Sequence, residues 1–260
     1  MSGYETVTYD RDGAVAIITI FRPDAMNTFN TQLRADLLAA FQRAARDESV
    51  RVVVFTGEGR SFSAGADLND IDSTECPVDK MLQTEYRPVL ECIAEMKQPV
   101  IAAVGGSAAG IGMSFALACD LLVMADNAYL LSPFTTISLV PDGGLNWLLV
   151  HQLGYRRAFQ LSIESERIPA DRCVELGLAN KSVPADSLVE ETVKWAHAIS
   201  ERAPLSLAAT KEAMRYAASN SWASTFDVEA PLQTALRQSE DCEEGVKAFF
   251  EKRKANFKGR

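Results

Sequence analysis

What this 260-residue chain lacks narrows its chemistry before any motif is read. It has only two histidines, His151 and His197, and neither stands near a cysteine at metal-ligand spacing. Its five cysteines, Cys76, Cys92, Cys119, Cys173 and Cys242, form no CxxC pair and are odd in number, so reduced thiols are expected and no metal site is. Basic charge is scarce too. Twenty-six Lys and Arg against 35 Asp and Glu leave a net charge of −9, which repels nucleic acid and anionic membrane at long range. Local clusters survive at Arg156 and Arg157 and in the tail EKRKANFKGR. The start, MSGYETVTYD, has no apolar run of signal-peptide type, so a cytoplasmic protein is expected.

Charge is absent altogether from Val100 to Cys119, VIAAVGGSAAGIGMSFALAC, a stretch of membrane-spanning length. Pro99 before it, Asp120 after it and four glycines inside it favour a buried strand, a glycine turn and a buried helix. The glycines also fall short of a nucleotide motif. Gly112 is followed by Met113 and Ser114 where a P-loop needs lysine, and Gly110-Ile111-Gly112 meets Phe115 where a dinucleotide fingerprint needs a third glycine. What remains is a turn opening a helix, which either offers free backbone N–H groups to an anion or simply permits close packing.

The patterning is that of an α/β protein. YETVTYD and AVAIITIF around RDG predict a hairpin. Asn30 or Thr31 caps a helix whose Leu33, Leu37, Phe41 and Ala44 share a face. VRVVVFTG, PVIAAV and DLLVMAD are apolar strands. They alternate with a helix from Asp79 to Met96, with Leu82, Tyr86, Val89, Ile93 and Met96 inward, and a second helix at MSFALAC, which predicts parallel crossovers. Beyond about Gly144 the pattern is almost wholly helical, with Pro169, Pro184, Pro204 and Pro231 at or near helix starts. One α/β core over residues 1–203 and a helical appendage over 204–260 are expected.

A second glycine loop, SAGADL at Ser63 to Leu68, follows another apolar strand. Two such loops at the C-terminal ends of neighbouring strands can aim N–H groups at one point, as an oxyanion hole requires. The segments FSAGADL, KQPVIAAVGGSAAGIGMSFALACD, LVPDGG, RIPADRCVELGLANKSV and FFEKRKANF, in that order after FRPDAMNTF, resemble the enoyl-CoA hydratase/isomerase (crotonase) family. The resemblance implies a ββα spiral core that binds acyl-CoA and a C-terminal helical trimerisation region. It implies oxyanion donors at the backbone N–H groups of Ala66 and Ile111. It places coenzyme A against Ala25, Met26, Ala64, Asp67 and Leu68, with Phe249 and Lys252 often contributed across a subunit interface. The thioester is then substrate, with no separate cofactor and no metal, and the assembly a homotrimer or dimer of trimers.

The sequence departs from the family's hydratases at both of their glutamates. Ser114 and Phe134 stand there, and neither transfers a proton as hydration requires. The family's isomerases carry an acid at a third position, which here is Asp142, the only formal charge between Asp126 and Arg156. Moving a double bond needs one base to take a proton from C2 and return it at C4, so one carboxylate suffices. Phe134, Leu139, Val140 and Trp147 are expected to desolvate Asp142, and the helix beginning at Gly143 or Gly144 to favour its charge. Ser114, Phe134 and Asn146 are expected in the acyl pocket, and variable stretches such as Ile71 to Thr84 along an acyl tunnel. Asp142 remains open as general acid/base, as a nucleophile like that of the family's aromatic dehalogenases, or as a plain helix cap. Weak hydration and acyl-CoA binding without turnover stand as further alternatives.

Overall fold

The computed structural model describes residues 3–70 and 77–260; Cys76 and the beginning of the expected tunnel stretch, Ile71 to Cys76, lie outside the described residues. In chain order the strands are β1 Val7–Asp12, β2 Val15–Ile20, β3 Val52–Gly57, β4 Ser61–Ser63, β5 Val100–Val104, β6 Ser107–Ala109, β7 Leu121–Ala125, β8 Tyr129–Leu131, β9 Ile168–Pro169 and β10 Lys181–Val183. They form a six-stranded sheet in the order β1-β2-β3-β5-β7-β10 and a four-stranded sheet in the order β4-β6-β8-β9. The predicted hairpin pairs β1 with β2, Val7 opposite Ile20, and every later pairing in the larger sheet is parallel. Each of β3, β5 and β7 is followed at once by a short strand in the smaller sheet, and then by helix. This repeat winds the chain into a ββα spiral.

The helices are α1 Thr31–Arg46, α2 Val78–Met81, α3 Arg87–Glu95, α4 Ile111–Ala118, α5 Leu145–Leu153, α6 Tyr155–Glu164, α7 Ala170–Glu175, α8 Leu188–Ser200, α9 Pro204–Ala217, α10 Trp222–Arg237 and α11 Glu240–Glu251. Asn30 caps α1, its side chain accepting the Leu33 N–H at 2.9 Å, and Leu33, Leu37, Phe41 and Ala44 are all buried. The uncharged Val100–Cys119 run is β5, β6 and α4, buried between the layers; among the described residues no helix is long and apolar enough to cross a membrane.

Three expectations change. The helix over Asp79 to Met96 is α2 and α3 joined by a π-helical turn at Leu82–Tyr86, where the Arg87 N–H reaches the Leu82 carbonyl. Pro88 supplies the reason: its ring has no N–H for the Thr84 carbonyl and crowds it, and one wider turn relieves both. The region after Gly144 is not wholly helical, because β9 completes the smaller sheet and β10 the larger. Pro231 lies inside α10 rather than at a start; the helix continues through it, packed between α9 and α11, at the cost of one backbone bond.

One buried amide fixes the loop after β2. Asn27 is fully buried with φ of 56°, accepts the Arg22 N–H at 2.9 Å, and donates to the carbonyls of Glu58 (2.9 Å) and Ser61 (2.6 Å). Beside it, the Ala64 N–H bonds Met26, the Phe29 N–H bonds Gly65, and the Asp67 N–H bonds Phe29. The loop that follows β4 is thereby held in register on the loop that follows β2. Replacing Asn27 with Ala removes the partners of three backbone groups, of which the Ser61 carbonyl is buried, and leaves a β-carbon in left-handed backbone, so Asn27→Ala is expected to lose about 2 kcal/mol or more. Urea unfolding measures this, and an unchanged midpoint would remove Asn27 from the frame.

Candidate active site

Two loops, one from each neighbouring strand pair, meet beside α4. A Cβ on Gly65 would lie 3.2 Å from the Ala109 carbonyl oxygen and 3.8 Å from Gly110 Cα, so only glycine lets the backbones approach this closely. The Phe29 rungs engage residues 65 and 67 and leave the Ala66 N–H between them without an acceptor among the described residues. Ile111 is the first residue of α4, where an N–H has no intrahelical partner, and it too has no acceptor. The two expected oxyanion donors thus flank one junction, and both are free backbone N–H groups.

Asp142 is tied to the same junction. The Ser114 hydroxyl donates to the Asp142 carbonyl at 2.9 Å, and the neighbouring Gly143, at φ 62°, sits so tightly on α4 that a Cβ there would come 2.3 Å from Ile111 Cδ1. The Asn146 amide donates to the Pro141 carbonyl at 2.6 Å and braces the loop from its other side. Asp142 Oδ1 is buried without a hydrogen-bond partner, and burial pushes the carboxyl up to about 6. The helix-cap reading is not what the loop adopts. Gly144 holds the N-cap position of α5, and no side chain caps its first N–H groups. Desolvation therefore prevails over the helix terminus, although only some of the residues expected are placed to cause it: Trp147 shares the cavity wall with Asp142 and Phe134 is buried beside Gly110, but Leu139 and Val140 are exposed.

Asp142 and Gly143 form part of the wall of a cavity of about 560 Å³. Leu82, Tyr86 and Leu90 line it from the π-turn and α3, Trp147 and Leu148 from α5, and Ala118 from the end of α4; Gln83, Arg87, Glu91 and Arg215 add polar groups. The Tyr86 ring packs on Phe29 and Phe115, and its hydroxyl accepts from Arg34 Nη1 at 3.2 Å. Arg34, itself buried, is held by Glu85 at 2.8 Å and Asp70 at 3.0 Å. Burial pushes the Tyr86 hydroxyl up to about 12, with the Asp142 charge adding to it.

Ser114, Phe134 and Asn146 border the Asp142 loop rather than the cavity wall, because Ser114 and Asn146 spend their donors on that loop's carbonyls and Phe134 fills the space beside Gly110. Ala25, Met26, Ala64 and Asp67 do converge, with Asp67 paired to Arg22 at 3.0 Å and Leu68 exposed next to them. Phe249 on α11 and Lys252 at its end are exposed, and among the described residues no hydrogen bond or ion pair joins either to that rim. Neither histidine lines the cavity: His151 stacks on Trp147, which does, and His197 meets Asp12. Tyr86 was legible only as a core position by its spacing, and Arg34 and Arg215 gave no local signal, since their partners lie dozens of residues away.

Residues 10–260 match the family model described as enoyl-CoA hydratase/isomerase. A "probable enoyl-CoA hydratase" of Rhodobacter capsulatus is 38% identical over 99% of both chains. The 1,2-epoxyphenylacetyl-CoA isomerase of Escherichia coli is 33% identical over 95% of both. The crystal structure of an enoyl-CoA hydratase from Polaromonas sp. JS666 superposes with a TM-score of 0.93 at 33% identity, covering 97% of this chain and 99% of that one.

The buried carboxyl has a consequence that needs no substrate. Its pKa in the folded protein, about 6, lies above the value of an unfolded aspartate, so the folded state holds the proton more tightly. The stability this confers is complete below about pH 4 and is lost as the pH rises through 6. Asparagine cannot ionise and keeps it. Asp142→Asn is therefore expected to be more stable than the parent at pH 7.5, by on the order of 2 kcal/mol, with the difference gone at pH 4. Urea titrations at the two pH values decide it; a less stable variant at pH 7.5 would mean that the carboxylate has a stabilising partner.

Proposed function

Because the chain belongs to the enoyl-CoA hydratase/isomerase family of enzymes and has its crotonase fold, we propose that it shifts a double bond in an acyl-CoA from the 3,4 to the 2,3 position. Asp142 is the acid/base. The observation that carries this reading is the Asp142 carboxyl in the cavity wall, its Oδ1 buried without a partner, in a chain whose two other expected acid positions hold Ser114 and Phe134. The thioester carbonyl lies at the Ala66 and Ile111 N–H groups, which stabilise the enolate oxygen as its charge develops. The carboxylate removes a proton from C2, the dienolate forms, and the same oxygen returns the proton to C4. A pKa near 6 suits both halves of this shuttle, since the group is mostly ionised at neutral pH yet is a stronger base than a solvated aspartate.

The coenzyme A portion lies along Ala25, Met26, Ala64, Asp67 and Leu68, with Phe249 and Lys252 of a second subunit closing over it, and the thioester needs no further cofactor or metal. Exposed Met214, Trp222, Phe226, Phe249 and Phe250 on α9, α10 and α11 support association into a trimer or dimer of trimers. The free thiols of Cys92, Cys119, Cys173 and Cys242 suit a reducing cytoplasm.

The decisive assay follows conversion of trans-3-hexenoyl-CoA to its conjugated 2-enoyl isomer. Asp142→Asn is expected to reduce kcat/KM by about 10² or more, as loss of a general base does, while acyl-CoA affinity persists. The parent's kcat/KM is expected to fall on the acid side with a midpoint near pH 6, a limb the variant lacks. Unchanged turnover in the variant sinks the assignment. Hydration of crotonyl-CoA by the parent is expected to be at least about 10² slower than isomerisation, since it needs a second acid; fast hydration would point to a carboxyl outside this account.

A further inference from the structure

One charged group in the cavity wall has no part in the proton transfer. Arg215 reaches the cavity from α9, and its Nη2 donates to the Ala118 carbonyl at 2.8 Å and to Asp120 Oδ1 at 2.7 Å. Its Nε is buried with no acceptor, and Nη1 makes no hydrogen bond among the described residues. Asp120 does not neutralise Arg215 alone, because Lys211 Nζ lies 2.7 Å from its other oxygen and donates as well to the carbonyls of Ile93 and Gln98. Two cations on one carboxylate leave about one positive charge beside the cavity. Of the other charged groups in the wall, Arg87 and Glu91 at 2.6 Å cancel each other, with Arg87 also satisfying the Gln83 side-chain oxygen, and Asp142 carries the negative charge that the chemistry uses, with no influence of Arg215 on its titration. The surplus positive charge is thus confined to the surroundings of Arg215 and Lys211, in a chain of net charge −9.

Nε has no accessible surface and cannot itself meet a ligand, whereas Nη1 is accessible and unpaired and offers a donor that a ligand acceptor can fill. A purely hydrocarbon acyl tail supplies none. A neutral carbonyl or hydroxyl would satisfy the N–H but leave the surplus charge uncompensated, whereas a carboxylate answers both. We propose that Arg215 recognises a carboxylate at the far end of the acyl group, so that the preferred thioesters are those of dicarboxylic acids. The inference rests on the cavity being the acyl site of the proposed isomerase, and it assigns Arg215 to substrate choice rather than to the chemistry.

Saturated thioesters separate the two readings, because they bind without turnover. Competition binding to the intact protein compares hexanoyl-CoA with 5-carboxypentanoyl-CoA and octanoyl-CoA with 7-carboxyheptanoyl-CoA. The carboxylate is expected to bind about tenfold or more tightly at one length at least, Arg215→Met to erase that ratio, and Arg215→Lys to retain part of it. Equal or weaker binding of both carboxylates to the parent overturns the proposal, whether or not a variant folds. A ratio that persists in folded Arg215→Met overturns it as well, by placing recognition elsewhere. Preserved carboxylate preference in a protein that fails to isomerise rejects the isomerase reading alone; active isomerisation without preference rejects only the role of Arg215.

Discussion

The hydrogen bond from the Ser114 hydroxyl to the Asp142 carbonyl joins the two halves of the candidate site. Ser114 is on the first turn of α4, the helix whose leading residue offers the Ile111 N–H, and Asp142 is in the loop before α5. Gly143 makes the joint rigid, since it touches both Ile111 and Ser114 at distances that exclude a side chain. The oxyanion donor and the acid therefore move together or not at all. The same contact bears on one departure from a hydratase, the serine at position 114. A Cβ built on Gly143 would lie 2.9 Å from Ser114 Cβ, so a side chain as long as glutamate at position 114 would meet the Asp142 loop.

The second organising feature is dryness. Leu82, Leu90, Trp147 and Leu148 face Asp142 across a cavity that also reaches Tyr86, and the Tyr86 hydroxyl is already engaged by Arg34. Nothing in the wall donates to Asp142 Oδ1, which is why its carboxyl behaves as a stronger base than one in water. The protein tolerates this because the charge it disfavours is placed in an already braced loop, with backbone carbonyls held by Ser114, Leu145 and Asn146.

The fold was readable in the chain wherever burial dictates pattern. The hairpin, the capped α1, the apolar parallel strands and the division of Val100–Cys119 follow from alternation, helical spacing and glycine placement. The short strands β9 and β10 were not, because two or three residues carry no period and owe their form to the sheet edges they complete. In the site, Ala66, Ile111 and Asp142 were identified by motif resemblance, and the geometry sets them around one junction. The cavity wall was not legible. Tyr86, Leu90, Trp147 and Arg215 converge only through tertiary packing, and Ser114 and Asn146 looked like lining residues until their donors were seen to be committed to the loop.

The π-helical turn at Leu82–Tyr86 has a meaning for how such a protein diversifies. It holds one residue more than an α-helical turn would, and it forms one side of the cavity while supplying neither the oxyanion donors nor the acid. Deleting a single residue there restores regular helix and swings everything on the N-terminal side by about 100° relative to α3. One codon lost or gained would thus exchange the side chains presented to the acyl group while the reacting machinery stays where it is. A lineage can explore new substrates through this turn without first giving up its chemistry.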